Sequence, residues 1–475
     1  MTTQYFRVAD PRDPAIETVG AILRGGGLAA IPTETVYGLA ASALDDGAVK
    51  RIFAAKGRPA DNPLIVHISD LSQWPALVRE IPDSARRLAE AYWPGPMTIV
   101  LPRSERISDV VSGGLDTVAV RMPSHPVARA VINAAGVPLA APSANRSGKP
   151  SPTTAQHVID DMDGRIDCIL DAGPCEVGVE STVVSLVGEK PRLLRPGGVT
   201  PEMLRRVLGE IEIDDAVFHR LAEDQTAASP GMKYKHYAPK ADMTLFEGPD
   251  AAVRREIRAQ AEALRTAGKQ AAVLLYGSGE EAAAKLFADL RRLDEEGADV
   301  ILAQALDGTK ASVNYSVMNR MLKAAGYHIK EVSMKIALAC DHGGYELKLA
   351  VMDHLKERGI ECIDLGCNGE RVDYPVYGKA VGEAVVNGEA DLGIACCGTG
   401  LGISMAANKV HGVRCAVPTT PFMAEMAKAH NNANVLALGG RVLTPEQAIE
   451  YVDLWLDTEF LGDYHAVRVA MLDEM

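Results

Sequence analysis

Short apolar runs bounded by glycine, proline or hydroxyl-bearing residues recur along this chain, and longer amphipathic stretches separate them toward its C-terminus. Runs at 28–31, 64–68, 98–101, 117–121 and 182–186 predict strands, and 48–55 has helical spacing. Between 243 and 325 the pattern turns regular, strand alternating with helix. Its clearest strands are 271–275 and 300–303, its clearest helices 251–267 and 280–296. That alternation predicts a small doubly wound α/β unit. From Met334 onward it returns, with strands at 336–339, 392–396, 413–417 and 435–438. Residues 222–239 include SPGMKYKHYAP, a polar segment with glycine, prolines and aromatics that reads as an ordered linker. The expected class is α/β throughout. A mixed α/β domain spans 1–221, a linker or lid 222–241, a small Rossmann-like accessory domain 242–330 and a Rossmann-like domain 334–475.

The last boundary carries a signal of its own. VSMKIALACDHGG at 332–344 leads a methionine and a lysine into an apolar strand and then a polar, glycine-bearing turn. Nucleotide- and phosphate-handling α/β domains begin in this way. Met334 therefore reads as an old start, and the chain as two proteins joined end to end with 326–333 as a short tether. The length of 475 residues exceeds one core. A net charge of −14 argues against a broad basic face for nucleic acid. The polar, acid-bearing N-terminus resembles no signal or transit peptide, and no apolar run approaches the ~18 residues of a membrane helix. The eight cysteines form no CxxC pair, which suits reduced thiols in a cytoplasmic protein better than disulfides or zinc.

The C-terminal chemistry centres on LGIACCGTGLGISMAANK (392–409), where a buried strand meets a loop containing Gly398, Gly400 and Gly402 and then a helix near Ile403. Converging backbone N–H groups at a helix N-terminus hold anions. The spacing is GxGxG, so the GxGxxG of nicotinamide-binding folds is absent. Taken alone, such a turn is equally a tight strand–helix connection. Cys397 shifts the balance, because a thiol at a helix N-terminus can serve as base or nucleophile. His430 and Asn431, after the helical stretch 421–429, are expected at the same strand-end level as an acid/base partner, the bland alternative being a helix cap. With CDHGG, RVDYP, AHNNANVLALGGR and HAVRV, the stretch from Met334 to the end resembles ribose-5-phosphate isomerase B. The resemblance implies interconversion of ribose 5-phosphate and ribulose 5-phosphate through an enediolate, without a cofactor. It makes Cys397 the base and the 398–402 amides the enediolate donors. Thr399 moves a hydroxyl proton and His430 opens the furanose ring. Asp341, Tyr374, Asn408, Asn431 and Arg441 line the sugar, with His342 and Arg468 at the phosphate. It also implies a homodimer, since family sites form between subunits. Tyr464 stands where an arginine is expected, which puts phosphate affinity and the preferred sugar phosphate in question.

Upstream, chemistry gathers in IPTETVYGLAA (31–41), AAKGRPADNPLIVHI (54–68), APSANRSGKPSPT (141–153) and GVESTVVSL with LLRPGG (178–198). A KGRP loop is usually a solvated turn, and an SAN turn can be a cap. Several hydroxyl-rich loops together with Lys56, Arg58, Arg121 and Arg195 make an inventory for a polyanion such as a triphosphate. No Walker A loop is present. These clusters resemble the threonylcarbamoyl-AMP synthase family, with its YrdC-like fold, over 1–330. The resemblance implies condensation of L-threonine, bicarbonate and ATP, with Mg²⁺ bridging phosphates, to threonylcarbamoyl-adenylate and pyrophosphate. tRNA enters only indirectly, through a later transfer complex. Thr35, His67, Arg121, Ser143 and Ser181 would hold threonine or its carbamate. Lys56, Arg58, Asn62, Thr117, Asn145, Ser151, Arg195 and Ser229 would hold ATP, with 229–237 as a lid. One departure, KASVNYSVMNR (310–320), is expected to be a variation remote from the chemistry. Two other readings stay open: an RNA-binding module, and an active synthase carrying a non-catalytic, dimerising isomerase-like domain.

Overall fold

The structure, a computed structural model, describes residues 2–217, 219, 237–308 and 312–475. It divides into two compact units, one of residues 1–246 with 261–330 and the other of 247–260 with 331–475.

The first unit is built on an eleven-stranded mixed sheet among the described residues. Its middle runs Gly38–Ser42, Leu139–Ala140, Ile65–His67, Thr117–Arg121, Met97–Pro102, Thr182–Ser185. The strands predicted at 28–31, 64–68, 98–101, 117–121 and 182–186 all appear here, each end within one residue of its expected place. They are nearly all apolar because both faces are covered. Leu39, Val66, Ile99, Val120 and Val184 pack one core on one side. On the other, helix Ala15–Arg24 packs with Pro126–Ala135 through Val19, Leu23, Val131 and Ile132. Register decides what the sheet presents at its edge: His67 lies beside Arg121, and Arg121 beside Thr98. A separate four-stranded sheet places Ala271–Leu274, Val300–Gln304 and Asp242–Glu247 as parallel neighbours. Helix Gly279–Glu295 buries Leu286, Phe287 and Leu290 against its core.

The second unit holds a five-stranded parallel sheet in the order Glu361–Asp364, Lys335–Cys340, Leu392–Cys397, Val435–Gly439, Cys415–Ala416. The apolar run at 413–417 yields only the short edge strand. Ile336, Leu338, Ile394, Leu436 and Leu438 form the core on one face. Within this unit the buried carboxylate of Asp391 pairs with Arg255 and accepts from the Lys335 N–H at 2.7 Å.

Candidate active sites

In the second unit, Cys340, Cys397 and Gly439 finish neighbouring strands at one edge of the sheet. Cys397 is buried, and the Gly400 N–H donates to its Sγ at 3.2 Å. Gly400 adopts φ +78, a conformation that costs a side-chain-bearing residue strain, and this turns the loop back over the sulfur. Asp341 is buried beside it, its carboxylate accepting from Gly343 N–H at 2.8 Å. The Arg441 N–H donates to the Gly398 carbonyl at 2.9 Å, and the Tyr374 ring lies against Gly402. His342 and Thr399 are exposed on the same rim. The adjacent Cys396 points into the opposite face, where burial pushes its thiol far up.

The expectation that His430 and Asn431 share this level fails. Helix Pro421–Ala429 starts after strand Cys415–Ala416 and runs back along the sheet, so His430 at its C-terminus arrives at the opposite edge. There the Arg414 Nε donates to the Asn432 carbonyl at 3.1 Å, just before strand Val435–Gly439 begins. A right-handed parallel crossover makes this unavoidable. The His430 ring stacks on His465 with centroids 4.1 Å apart, Tyr464 tilts against His465 at 4.0 Å, and the Arg468 guanidinium lies 5.1 Å over Tyr464. Burial, helped by His430 and Arg468, lowers the pKa of His465. Asn408 is also placed differently from expectation. Its amide makes a two-point bond with the Cys415 backbone, at 3.0 and 2.8 Å, fixing the edge strand.

In the first unit, Thr35, His67, Arg121, Ser143 and Ser181 line one cleft together with Arg58, Asn145, Ser151 and Arg195. Counting all the space of its open mouth, the cleft measures about 570 Å³. Arg121 is buried; its Nη1 donates to Thr35 Oγ1 at 2.9 Å and its Nη2 pairs with Glu34 at 2.6 Å. Burial pushes the Glu34 carboxyl up, but the Arg121 charge and hydrogen bond outweigh it, so its pKa lies below normal. Ser181 Oγ meets Thr98 Oγ1 at 2.8 Å and accepts from Arg195 Nη2 at 3.1 Å. His67 Nδ1 lies 3.2 Å from the Ile65 carbonyl. A carbonyl only accepts, so Nδ1 carries the proton and Nε2 is left as an acceptor.

Burial, aided by Arg121, holds the pKa of His67 at about 3. An unfolded histidine takes up its proton at about pH 6.5, so the unfolded state binds more protons below that value. The contribution of His67 to stability is therefore complete above its unfolded pKa and declines as pH falls toward 3. His67→Gln is expected to flatten the fall in melting midpoint between about pH 6.5 and 5, a window above most carboxylate titrations. A midpoint slope unchanged by the substitution would refute this.

Other expected nucleotide contacts lie elsewhere. Lys56 is buried beneath the 143–145 turn, its Nζ donating to the Ser143 and Asn145 carbonyls at 2.5 Å each. Burial, with the neighbouring Arg58 charge, lowers its pKa strongly. Asn62 is buried behind Arg58, and its backbone carbonyl accepts from Arg58 Nη2 at 3.4 Å. Thr117 starts the strand that ends in Arg121, beside Pro102. Ser229 and residues 229–236 of the expected lid lie outside the described residues.

Sequence reasoning missed Glu34, Glu180 and Arg320, while Tyr237, the last residue of the expected lid, lines the cleft. Glu34 and Glu180 stand inside IPTETVYG and GVESTVVSL, where acids among hydroxyls were a legible signal. The reading of 310–320 as remote is overturned at its last residue. Arg320, on helix Asn314–Ala324, donates from Nε to Glu180 Oε2 at 3.0 Å, and Glu180 lines the cleft.

Comparison with known proteins separates the same two parts. The family described as "Telomere recombination" matches residues 21–197, the threonylcarbamoyl-AMP synthase C-terminal domain 199–326, and "Ribose/Galactose Isomerase" 336–472. Threonylcarbamoyl-AMP synthase of Pyrococcus abyssi is 50% identical over 329 residues, covering 67% of this chain and 96% of that protein. Ribose-5-phosphate isomerase B of Escherichia coli is 49% identical over 136 residues, covering 28% of this chain and 91% of that one. The crystal structure of P. abyssi Sua5 complexed with L-threonine has a TM-score of 0.67 and 47% identity, covering 70% of this chain and 100% of its own. The chain is thus a fusion that belongs to the threonylcarbamoyl-AMP synthase family over residues 21–326 and to the ribose/galactose isomerase family over residues 336–472.

Proposed function

We propose that one chain catalyses two reactions: formation of threonylcarbamoyl-adenylate in the first unit, and interconversion of ribose 5-phosphate and ribulose 5-phosphate in the second. The observation that carries the first is the single cleft where Thr35, His67 and Arg121 meet Arg58 and Arg195. The free amine of threonine, hydrogen-bonded to His67 Nε2, bonds the bicarbonate carbon, and one amine hydrogen leaves with the bicarbonate hydroxyl as water. A carbamate oxygen then attacks the α-phosphorus of ATP and pyrophosphate departs. Arg58 and Arg195 neutralise phosphate charge, so positioning and electrostatics supply the rate. Among the described residues no group of three or more His, Cys, Asp or Glu is placed to hold a metal. Glu34 and Glu180 are already committed to arginines. In this reading Mg²⁺ enters as part of the nucleotide substrate. The product reaches tRNA through a separate transfer complex, consistent with the net charge of −14.

In the second unit, Cys397 takes the proton alpha to the sugar carbonyl. Amides of the 398–402 loop meet the developing enediolate, and Thr399 relays the hydroxyl proton. His430 and Arg468 sit a full strand length from Cys397 in one chain, so a second copy supplies them. The apolar side chains of Leu401, Met405, Phe422, Val467 and Met471 are exposed on this unit, as a homodimer interface requires. Mixing Cys397→Ser with His430→Asn subunits and re-equilibrating them is expected to restore about a quarter of the parent isomerase activity, since half the dimers then carry one intact site. Absence of any recovery would mean that each chain builds its own site. Assaying the intact protein for threonine-dependent pyrophosphate release and for ribose 5-phosphate isomerisation tests the whole reading. Release without isomerisation would leave the second unit a dimerising domain. Neither activity, with tight salt-sensitive tRNA binding, would favour an RNA-binding module.

A further inference from the structure

We propose that Arg320 is a positioning residue of the synthase cleft, acting by cancelling the charge of the Glu180 carboxylate that organises it. The inference rests on the synthase reading above. Glu180 is buried, yet it lines the cleft. Its Oε1 accepts from Ser151 Oγ at 2.5 Å, and the Tyr237 hydroxyl also hydrogen-bonds to it. One carboxylate thereby fixes the loop bearing Ser151 and the chain end at Tyr237. Ionised, the carboxylate accepts from both donors at once, and a buried anion survives only beside a cation.

Arg320 is that cation. Its side chain is fully buried, and besides Glu180 Oε2 it donates from Nη1 to the Pro196 carbonyl at 2.7 Å and to Asn319 Oδ1 at 3.0 Å. Its Nη2 reaches the Glu180 carbonyl at 3.4 Å. The guanidinium thus spans the segment entering Ser181 and the segment leaving Arg195. Burial raises the carboxyl of Glu180, and Arg320 with Arg195 brings it back below the normal value. The consequence concerns the substrate. A bare carboxylate facing a cleft lined by Arg58 and Arg195 would repel a triphosphate across a medium of low dielectric. Neutral threonine zwitterion feels that field far less. Arg320 lies on helix Asn314–Ala324, outside the large sheet whose strands and flanking loops carry Thr35, His67, Arg121 and Ser181, so the accessory domain completes the electrostatics of the nucleotide site.

The test uses the full chain, with affinity for ATP read by equilibrium dialysis and by KM. Arg320→Met is expected to weaken ATP at least about tenfold while KM for threonine moves less than about threefold. Adding Glu180→Gln, whose amide oxygen still accepts from Ser151, is expected to return ATP affinity to within about threefold of the parent. Equal weakening of both substrates, a fall in kcat alone, or no recovery in the double variant would make Arg320 a mere strut and overturn the proposal. Should Arg320→Met not fold, Glu180→Gln alone decides. Removal of the negative charge strengthens ATP binding, and a tenfold weakening would instead make Glu180 a direct nucleotide contact. A parent protein that binds ATP yet releases no pyrophosphate with threonine fails the synthase reading, while dialysis of the variants still judges Arg320.

Discussion

Cys397→Ser is expected to lower isomerase activity by about 10²–10⁴-fold, the span of general-base catalysis, while threonine-dependent pyrophosphate release stays at the parent rate. A serine hydroxyl occupies the same place below the Gly400 N–H, but at neutral pH it forms almost no anion and cannot take the sugar's proton. The side chain is nearly isosteric and sits at the end of a strand, so the fold is retained. Cys396 provides the internal control. It is fully buried in the core of the opposite sheet face, and Cys396→Ser places a hydroxyl among Leu338, Ile394 and Leu438. That variant should lose roughly 1–3 kcal/mol of stability while keeping its turnover per folded molecule. Near-parent isomerisation by Cys397→Ser, measured as ketose formation, would remove Cys397 as the base.

The strands and their α/β alternation were legible because apolar runs in this chain are short, bounded by turn residues and separated by amphipathic helices of ordinary length. Loops bearing hydroxyls and arginines come together in one cleft because Thr35, His67, Arg121 and Ser181 all end or flank strands of one sheet. What periodicity hides is direction and depth. His430 was placed beside Cys397 because both follow regular elements, yet a helix returning along a parallel sheet carries its C-terminus to the far edge. Asn408 carries the same amide whether it meets a sugar or, as here, the Cys415 backbone. Glu180 and Arg320 are separated by well over a hundred residues, and no local pattern announces an ion pair across that distance.

Arg58→Ala is expected to reduce kcat/KM of adenylate formation about 10²–10³-fold, roughly 3–4 kcal/mol of transition-state stabilisation, without touching isomerisation. The neighbouring cation of the same KGR triplet should behave oppositely, and local geometry says why. Helix Asp46–Lys56 ends on Gly57 at φ +63, whose N–H returns to the Ala54 carbonyl at 3.3 Å while that of Arg58 returns to Phe53 at 3.0 Å. This left-handed cap reverses the chain, so Lys56 projects under the 143–145 turn and Arg58 projects into the cleft. Arg58 also braces its own loop through the Pro63 carbonyl at 3.1 Å, but it is half-buried at the cleft wall, and alanine leaves the backbone cap intact. Lys56→Ala instead strips a donor from two buried carbonyls and should cost about 1–3 kcal/mol for each group left unsatisfied. The distinguishing measurement pairs melting temperature with steady-state rates. Arg58→Ala should melt with the parent and turn over poorly, and Lys56→Ala should melt early and keep a larger share of its rate while folded. If the two variants exchanged these signatures, the phosphate contact would belong to Lys56, and the cleft would have to open beneath the 143–145 turn when ATP binds.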